Sequence, residues 1–269
     1  MRLRDIREIL RQAGDLDTVE WIYFEGGEPF LYHPILVRGV EEAARAGFQV
    51  GIVTNGYWAT NVEDALEWLR PFAGSIQDLS VSSDFYHWNE KFSPQARNAV
   101  RAAERLEIPV GLIHIAQPDG IEAPATEGQL PPGESAVMYR GRAARKLATQ
   151  VPEPRPWKEL QECPHEDLRN PGRVHVDPSG NVHVCQGISL GNLFRMALRE
   201  ICASYEADSH PIIGPLLRGG PAELVRHYEL PHKESYADAC HLCYEARLAL
   251  RETFPEILTP DQMYGVPEE

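Results

Sequence analysis

Strand-like and helix-like segments alternate regularly over residues 2–116, and this alternation leaves few folds open. Apolar residues at Leu3, Ile6, Ile9, Leu10 and Ala13 recur with a helical period, and Gly14 and Asp15 close that helix. Val19-Glu20-Trp21-Ile22-Tyr23-Phe24 is rich in β-branched and aromatic residues and reads as a strand. His33-Pro34 opens a second helix, with Ile35, Leu36, Val40, Ala43 and Ala44 on its apolar side and Gly47 as its stop. A strand over 48–53 follows, then a helix that starts at the capping-box pattern Thr60-Asn61-Val62-Glu63 and runs to Pro71. A strand over 76–82, a helix capped by Ser93-Pro94 and ending near Leu106, and a strand over 110–116 complete the series. Strands separated by helices imply a parallel sheet with right-handed crossovers.

In parallel sheets of this kind, ligands bind beyond the carboxyl ends of the strands. Three consecutive strands here end in small polar groups: Glu25-Gly26-Gly27-Glu28-Pro29, Thr54-Asn55-Gly56 and Ser82-Ser83-Asp84. Two glycines without Cβ atoms let a ligand or another backbone come close, Glu28 carries acceptor oxygens, and Pro29 fixes the exit direction. That composition suits a ligand with an ammonium group, or serves as a turn joining strand to helix. Three such ends along one edge are expected to form a single site.

The chain has 269 residues and a net charge of −14, which argues against a nucleic-acid backbone as partner. No stretch reaches the roughly 20 apolar residues of a membrane span. No apolar run follows the arginines of Met1-Arg2-Leu3-Arg4-Asp5, as a secretory signal would require. All five cysteines (Cys163, Cys185, Cys202, Cys240 and Cys243) lie in the second half. An odd count with a Cys-x-x-Cys pair points to a reducing cytoplasm and a metal or cluster site rather than disulfides.

Residues 117–136 are rich in Pro and Gly and read as a loop or lid without a convincing strand. A short basic helix over 141–148, flanked by Arg140 and carrying Arg142, Arg145 and Lys146, reads as a solvated face or an anion contact. Three prolines within 151–156 mark an extended linker, dividing the chain into domains 1–150 and 151–269.

In the second domain, residues 173–177 and 181–185 alternate apolar and polar around Pro178-Ser179-Gly180, a β-hairpin that delivers Cys185 at the end of its returning strand. Cys240-His241-Leu242-Cys243 precedes a helix over 244–251, placing the pair near a positive helix end that favours thiolates. Cys163, Cys185, Cys240 and Cys243 can close around one metal site, and all-thiolate coordination fits zinc or an iron–sulfur cluster equally. His175 and His183 are further zinc candidates or the exposed face of the hairpin, and Cys202 reads as a small core residue.

Taken together, these motifs resemble the radical S-adenosylmethionine enzymes. The resemblance implies an α/β fold, a partial (β/α)6 TIM-like barrel, whose Gly26, Gly27, Glu28 and Pro29 receive the amino group of S-adenosylmethionine. Asn55, Ser82 and Asp84 are its weaker counterparts for the carboxylate and ribose. The second half is similar to the twitch or SPASM-like auxiliary module that follows some of these barrels, a small α+β domain with a hairpin. Its Cys, Gly-x4-Cys, Cys-x2-Cys pattern maps onto Cys163, Gly180, Cys185, Cys240 and Cys243, which implies an auxiliary [4Fe–4S] cluster rather than zinc. The implied activity is radical-based modification or oxidation of a small molecule or peptide. The implied electron donor is a reducing protein such as a flavodoxin or ferredoxin.

The family's radical-generating [4Fe–4S] cluster is held by a Cys-x3-Cys-x2-Cys loop after a first strand, and no cysteine precedes Cys163 here. Residues 2–13 match the helix that follows that loop, so the first strand and loop are absent as one block. A fragment or an internal start is expected, with the chain as written inactive in radical generation and its first strand an exposed, aggregation-prone edge. The alternative reading is a non-catalytic iron–sulfur or zinc scaffold, or partner-binding subunit.

Overall fold

The structure, a computed structural model, describes residues 1–83, 93–115, 133–135 and 137–265. It falls into two compact units, one of residues 1–116 and 130–135, the other of 117–129 and 136–269. The second unit therefore starts upstream of the proline-rich 151–156 stretch. No described helix is long and apolar enough to cross a membrane.

The first unit is mixed α/β. Its strands β1 (Trp21–Phe24), β2 (Gln49–Thr54), β3 (Asp78–Ser82), β4 (Val110–Ile115) and β5 (Gly133–Ser135) form one sheet in sequence order. Every neighbouring pair is parallel. The helices α1 (Leu3–Gly14), α2 (His33–Arg45), α3 (Val62–Leu69) and α4 (Pro94–Arg105) supply the crossovers and their cover. Val50, Ile52, Leu79 and Val81 on the central strands are fully buried, as are Val40, Ala43, Ala65, Leu69, Ala99 and Ala103 on the helices. Val50 and Ile52, and Leu79 and Val81, are spaced two apart, so each pair lies on one face of its strand. β5 corrects the expectation of no strand in the Pro/Gly-rich stretch. Three residues there extend the sheet by backbone pairing, which a composition-based reading does not register. Residues 116–132, the bulk of the expected loop, lie outside the described residues, as does Asp84.

Helix starts follow the caps closely. Ser93 Oγ accepts from Ala96 N–H at 3.0 Å. The α3 cap is Asn61, not Thr60: its Oδ1 accepts from Asp64 N–H at 2.8 Å, while Thr60 Oγ donates to the Asp64 side chain. β1 is an edge strand, and Trp21 and Tyr23 stand exposed and stacked on one of its faces.

The second unit is built on short antiparallel pieces and helices. β6 (Arg155–Pro156) pairs with a strand at Ser235–Tyr236. The expected hairpin is present as β7 (His175–Val176) and β8 (Asn181–Cys185), and β9 (Ile188–Asn192) adds a third strand to β8. β8 is thus central, and Val182, His183 and Val184 are all buried. His183 is not on an exposed face: it is 0% exposed, with Nε2 3.0 Å from Asp177 Oδ2.

The helices are α5 (Arg142–Lys146), α6 (Leu198–Ala203), α7 (Ile213–His227) and α8 (Ala239–Leu250). Cys202 on α6 is exposed, not a core residue. α8 begins five residues earlier than expected, because Asp238 caps it by accepting from His241 N–H at 2.6 Å. Cys240 therefore lies in its first turn and Cys243 at the start of its second.

α7 opens on His210, whose Nδ1 accepts from the N–H groups of Ile212 and Ile213 at 3.2 and 3.1 Å. Burial lowers the His210 pKa from 6.5 to about 4. The unfolded chain takes up this proton at higher pH than the folded one, so the stabilisation is present above pH 6.5 and is lost as pH falls through about 4. Urea unfolding should show the loss over that window. In His210→Gln it should be smaller by about 2 kcal/mol, discounted for the partly exposed ring.

Candidate functional site

Two groups of residues bear chemistry, one in each unit. In the first unit, the parallel register sets the ends of β1, β2 and β3 side by side, as Phe24 pairs with Ile52 and Thr54 with Val81. Gly26 and Gly27 follow β1 with φ of 78° and 51°, a left-handed backbone that favours glycine. Both are exposed, and a Cβ built on either would meet nothing within 4 Å, so this turn presents bare backbone to open space.

Glu28 plays a different part from the one its sequence position implies. Its side chain is buried, and three donors already use its carboxylate. Oε1 accepts from Phe30 N–H at 3.1 Å and Thr54 Oγ1 at 2.9 Å, and Oε2 accepts from Asn55 N–H at 2.7 Å. A carboxylate offers about four acceptor positions, so roughly one remains on Oε2. Glu28 is first a tie between the ends of β1 and β2, and it caps the short 3-10 turn that begins at Pro29. Thr54, which sequence reading passed over, completes the tie: its Oγ1 also accepts from Gly56 N–H and Trp58 Nε1, at 3.1 and 3.0 Å. Asn55 Oδ1 accepts from Tyr57 N–H. Ser82 ends β3 beside this group, half-buried.

The second group is made of cysteines. Cys163, Cys185, Cys240 and Cys243 come from an irregular segment, the end of β8 and the first two turns of α8, and together line one cavity of about 20 Å³. Arg140 and Arg247 line it too, among apolar residues such as Pro164, Leu168, Ile188 and Leu216. Interiors have few voids larger than a water molecule, and those present are usually apolar. This one gathers four thiols and two guanidinium groups.

Each cation is held against the sulfurs. Arg140 Nη1 donates to Cys185 Sγ at 3.4 Å. Arg247 is 2% exposed and donates through Nη1 to Gln186 O at 2.9 Å and through Nε to Cys243 O at 3.4 Å. Cys163 sulfur receives the backbone N–H groups of His165 and Glu166.

Burial pushes the Cys163 thiol up to about 12 and raises Cys240 and Cys243 as well. Desolvation is the largest cause of each shift, while the nearby arginines lower Cys240 and Cys243. Buried, protonated thiols give no anion to balance the arginines, whereas thiolates bound to a metal do.

Sulfur spacing bears on which metal fits. Zinc with Zn–S bonds of about 2.3 Å holds its sulfurs about 3.8 Å apart. Among the described residues, the three ligand atoms within 4.8 Å of one another belong to His165, Asp238 and Cys240, and no three of the four cysteine sulfurs are that close. The trio spaced for a single ion is therefore not made of the cysteine sulfurs. Asp238 is raised to about 6, burial being the main cause, although it accepts N–H bonds from His241 and Tyr139. Of the two hairpin histidines, neither joins the cysteine cavity.

The segment carrying Cys163 depends on a glycine that sequence reading did not single out. α7 is broken at Gly219-Gly220-Pro221, and Gly220 has φ 61°. A Cβ there would lie 2.2 Å from the backbone of both Gln161 and Glu162. Gly220→Ala should displace this segment, destabilise the protein by about 2–4 kcal/mol in urea unfolding and reduce metal retention. Gly219→Ala is the comparison: its Cβ would meet Glu223 Cβ at 3.0 Å rather than the backbone at 2.2 Å, so it should cost less than Gly220→Ala and leave metal retention unchanged.

No protein-family model and no curated protein matches the chain. Among solved structures, it is similar to SuiB of Streptococcus suis, with a TM-score of 0.39 and 12% sequence identity. The match covers 77% of this chain and 60% of that chain, so this chain spans about three fifths of the SuiB length.

Proposed function

We propose that this chain is a radical S-adenosylmethionine family protein whose second unit holds an auxiliary [4Fe–4S] cluster on Cys163, Cys185, Cys240 and Cys243. In this reading the parallel sheet of the first unit is a partial (β/α) barrel, and the second unit is a twitch-like module. One observation carries the proposal: four thiols from three separate elements line one cavity with the half-buried Arg140 and the buried Arg247.

S-adenosylmethionine would lie along the ends of β1, β2 and β3. The bare Gly26-Gly27 turn and the remaining Oε2 position of Glu28 suit its ammonium group, with Asn55 and Ser82 alongside and Asp84 the further candidate. Glu28 and Thr54 would keep the β1 and β2 ends in register with each other, so the ligand meets a preformed edge. Such a cluster supplies electron transfer or substrate ligation. The protein's own residues would desolvate it and shield it from water. Radical generation from S-adenosylmethionine needs a second set of thiols, which residues 1–162 do not contain. The substrate would be a small molecule or peptide, and the electrons would come from a flavodoxin- or ferredoxin-type donor.

A second reading has its own observation. His165, Asp238 and Cys240 bring three ligand atoms within 4.8 Å, a spacing a single divalent ion can use. Zinc there would make the chain a non-catalytic scaffold.

Anaerobic reconstitution with iron and sulfide separates the two. The cluster reading expects about four irons per chain and loss of that iron in Cys185→Ala. One zinc and no iron, retained in Cys185→Ala and lost in His165→Ala, would establish the scaffold instead.

A further inference from the structure

We propose that Arg140 is a positioning residue that sets the charge balance and reduction potential of the centre held by Cys163, Cys185, Cys240 and Cys243. It would act through its N–H···S bond to Cys185. This rests on the cluster reading above and adds to it a role for a residue outside the ligand set.

Arg140 lies next to a run of basic residues, yet it is unlike them. Arg142, Arg145 and Lys146 on α5 are exposed, whereas the Arg140 side chain is 15% exposed. The chain turns at Gly141 (φ 54°, ψ −123°), separating Arg140 from the helix that follows. The guanidinium reaches the cysteine cavity, with Nη1 3.4 Å from Cys185 Sγ.

Its charge is poorly balanced by carboxylates. Glu166 lies 3.9 Å from Arg140 and is also engaged by Arg173 at 3.3 Å. Among the described residues no carboxylate lies within 4.0 Å of Arg247, which lines the same cavity. Three guanidinium groups against Glu166 and Asp238 leave one positive charge uncompensated in this region. Buried charges of this kind are normally paired or face a metal centre, and a cluster held by four thiolates is a net anion that can balance them.

Reduction adds one electron to the cluster core, with no bond made or broken to the protein. The added negative charge is stabilised by a fixed cation and a hydrogen bond to a ligand sulfur, so Arg140 raises the potential. Arg140 carries this effect more cleanly than Arg247, whose guanidinium also anchors the backbone at Gln186.

The test is a dithionite titration of the reconstituted full chain, followed by electron paramagnetic resonance of the reduced cluster. Resonance Raman of the oxidised cluster reads the Fe–S(Cys) bands without reduction. Arg140→Met should keep the wild-type iron content, titrate at lower potential and shift the Fe–S(Cys) bands. Arg140→Lys, which keeps the charge without the planar fork, should fall between Arg140→Met and wild type. If Arg140→Met does not retain iron, Arg140→Gln carries the comparison, and a lower potential or shifted bands in it support the proposal. Full iron content with unchanged potential and unchanged bands in the substituted chains, or a raised potential, overturns it. Absence of iron from the wild-type chain is a separate result, and it overturns the cluster reading itself.

Discussion

Two guanidinium groups desolvated beside four sulfurs are the constraint to which the second unit answers. A buried cation without a partner costs several kcal/mol, and Arg247 at 2% exposure is given carbonyl oxygens and sulfur rather than a carboxylate. The surrounding elements are arranged to keep this group together. Tyr264 is buried over Arg247 and donates to Gly187 O at 2.6 Å, fixing the turn that follows Cys185. Asp238 caps α8 and so sets the direction of Cys240 and Cys243. The break at Gly220 admits the backbone that leads to Cys163.

The first unit meets a similar demand with a single carboxylate. Glu28 is buried, and its three accepted bonds come from the turn after β1 and the end of β2. An acid that looks like a ligand contact in sequence is chiefly internal framework, and the exposed part of the motif is the glycine backbone before it. A substitution at Glu28 would therefore disturb the register of two strand ends along with any ligand contact.

Much of this architecture was legible in the residue pattern. The βα alternation is legible through β4, because each helix carries an apolar period and two of them a side-chain cap, at Asn61 and Ser93. The four-cysteine grouping was legible from spacing plus the hairpin turn at Gly180. Cys240, Cys243 and Arg247 share one helix face at i, i+3 and i+7, a signal present in sequence and not used. Arg140 had no such signal, since it sits in a basic stretch whose other members are solvated. Burial of His183 depended on β9 pairing with β8, which hairpin alternation alone cannot foresee. Burial raises Cys240 and Cys243 in the metal-free chain, an effect that spacing alone does not reveal. α7 was not anticipated, its pattern being interrupted by Gly-Gly-Pro.

The central claim is that the four cysteines hold one iron–sulfur core. Iron K-edge X-ray absorption on the anaerobically reconstituted full chain tests it most directly. The account predicts an all-sulfur first shell with iron–iron scattering beyond it, and loss of that second shell in Cys185→Ala. A first shell containing nitrogen or oxygen without iron–iron scattering would contradict it, and would place the metal at His165, Asp238 and Cys240 instead.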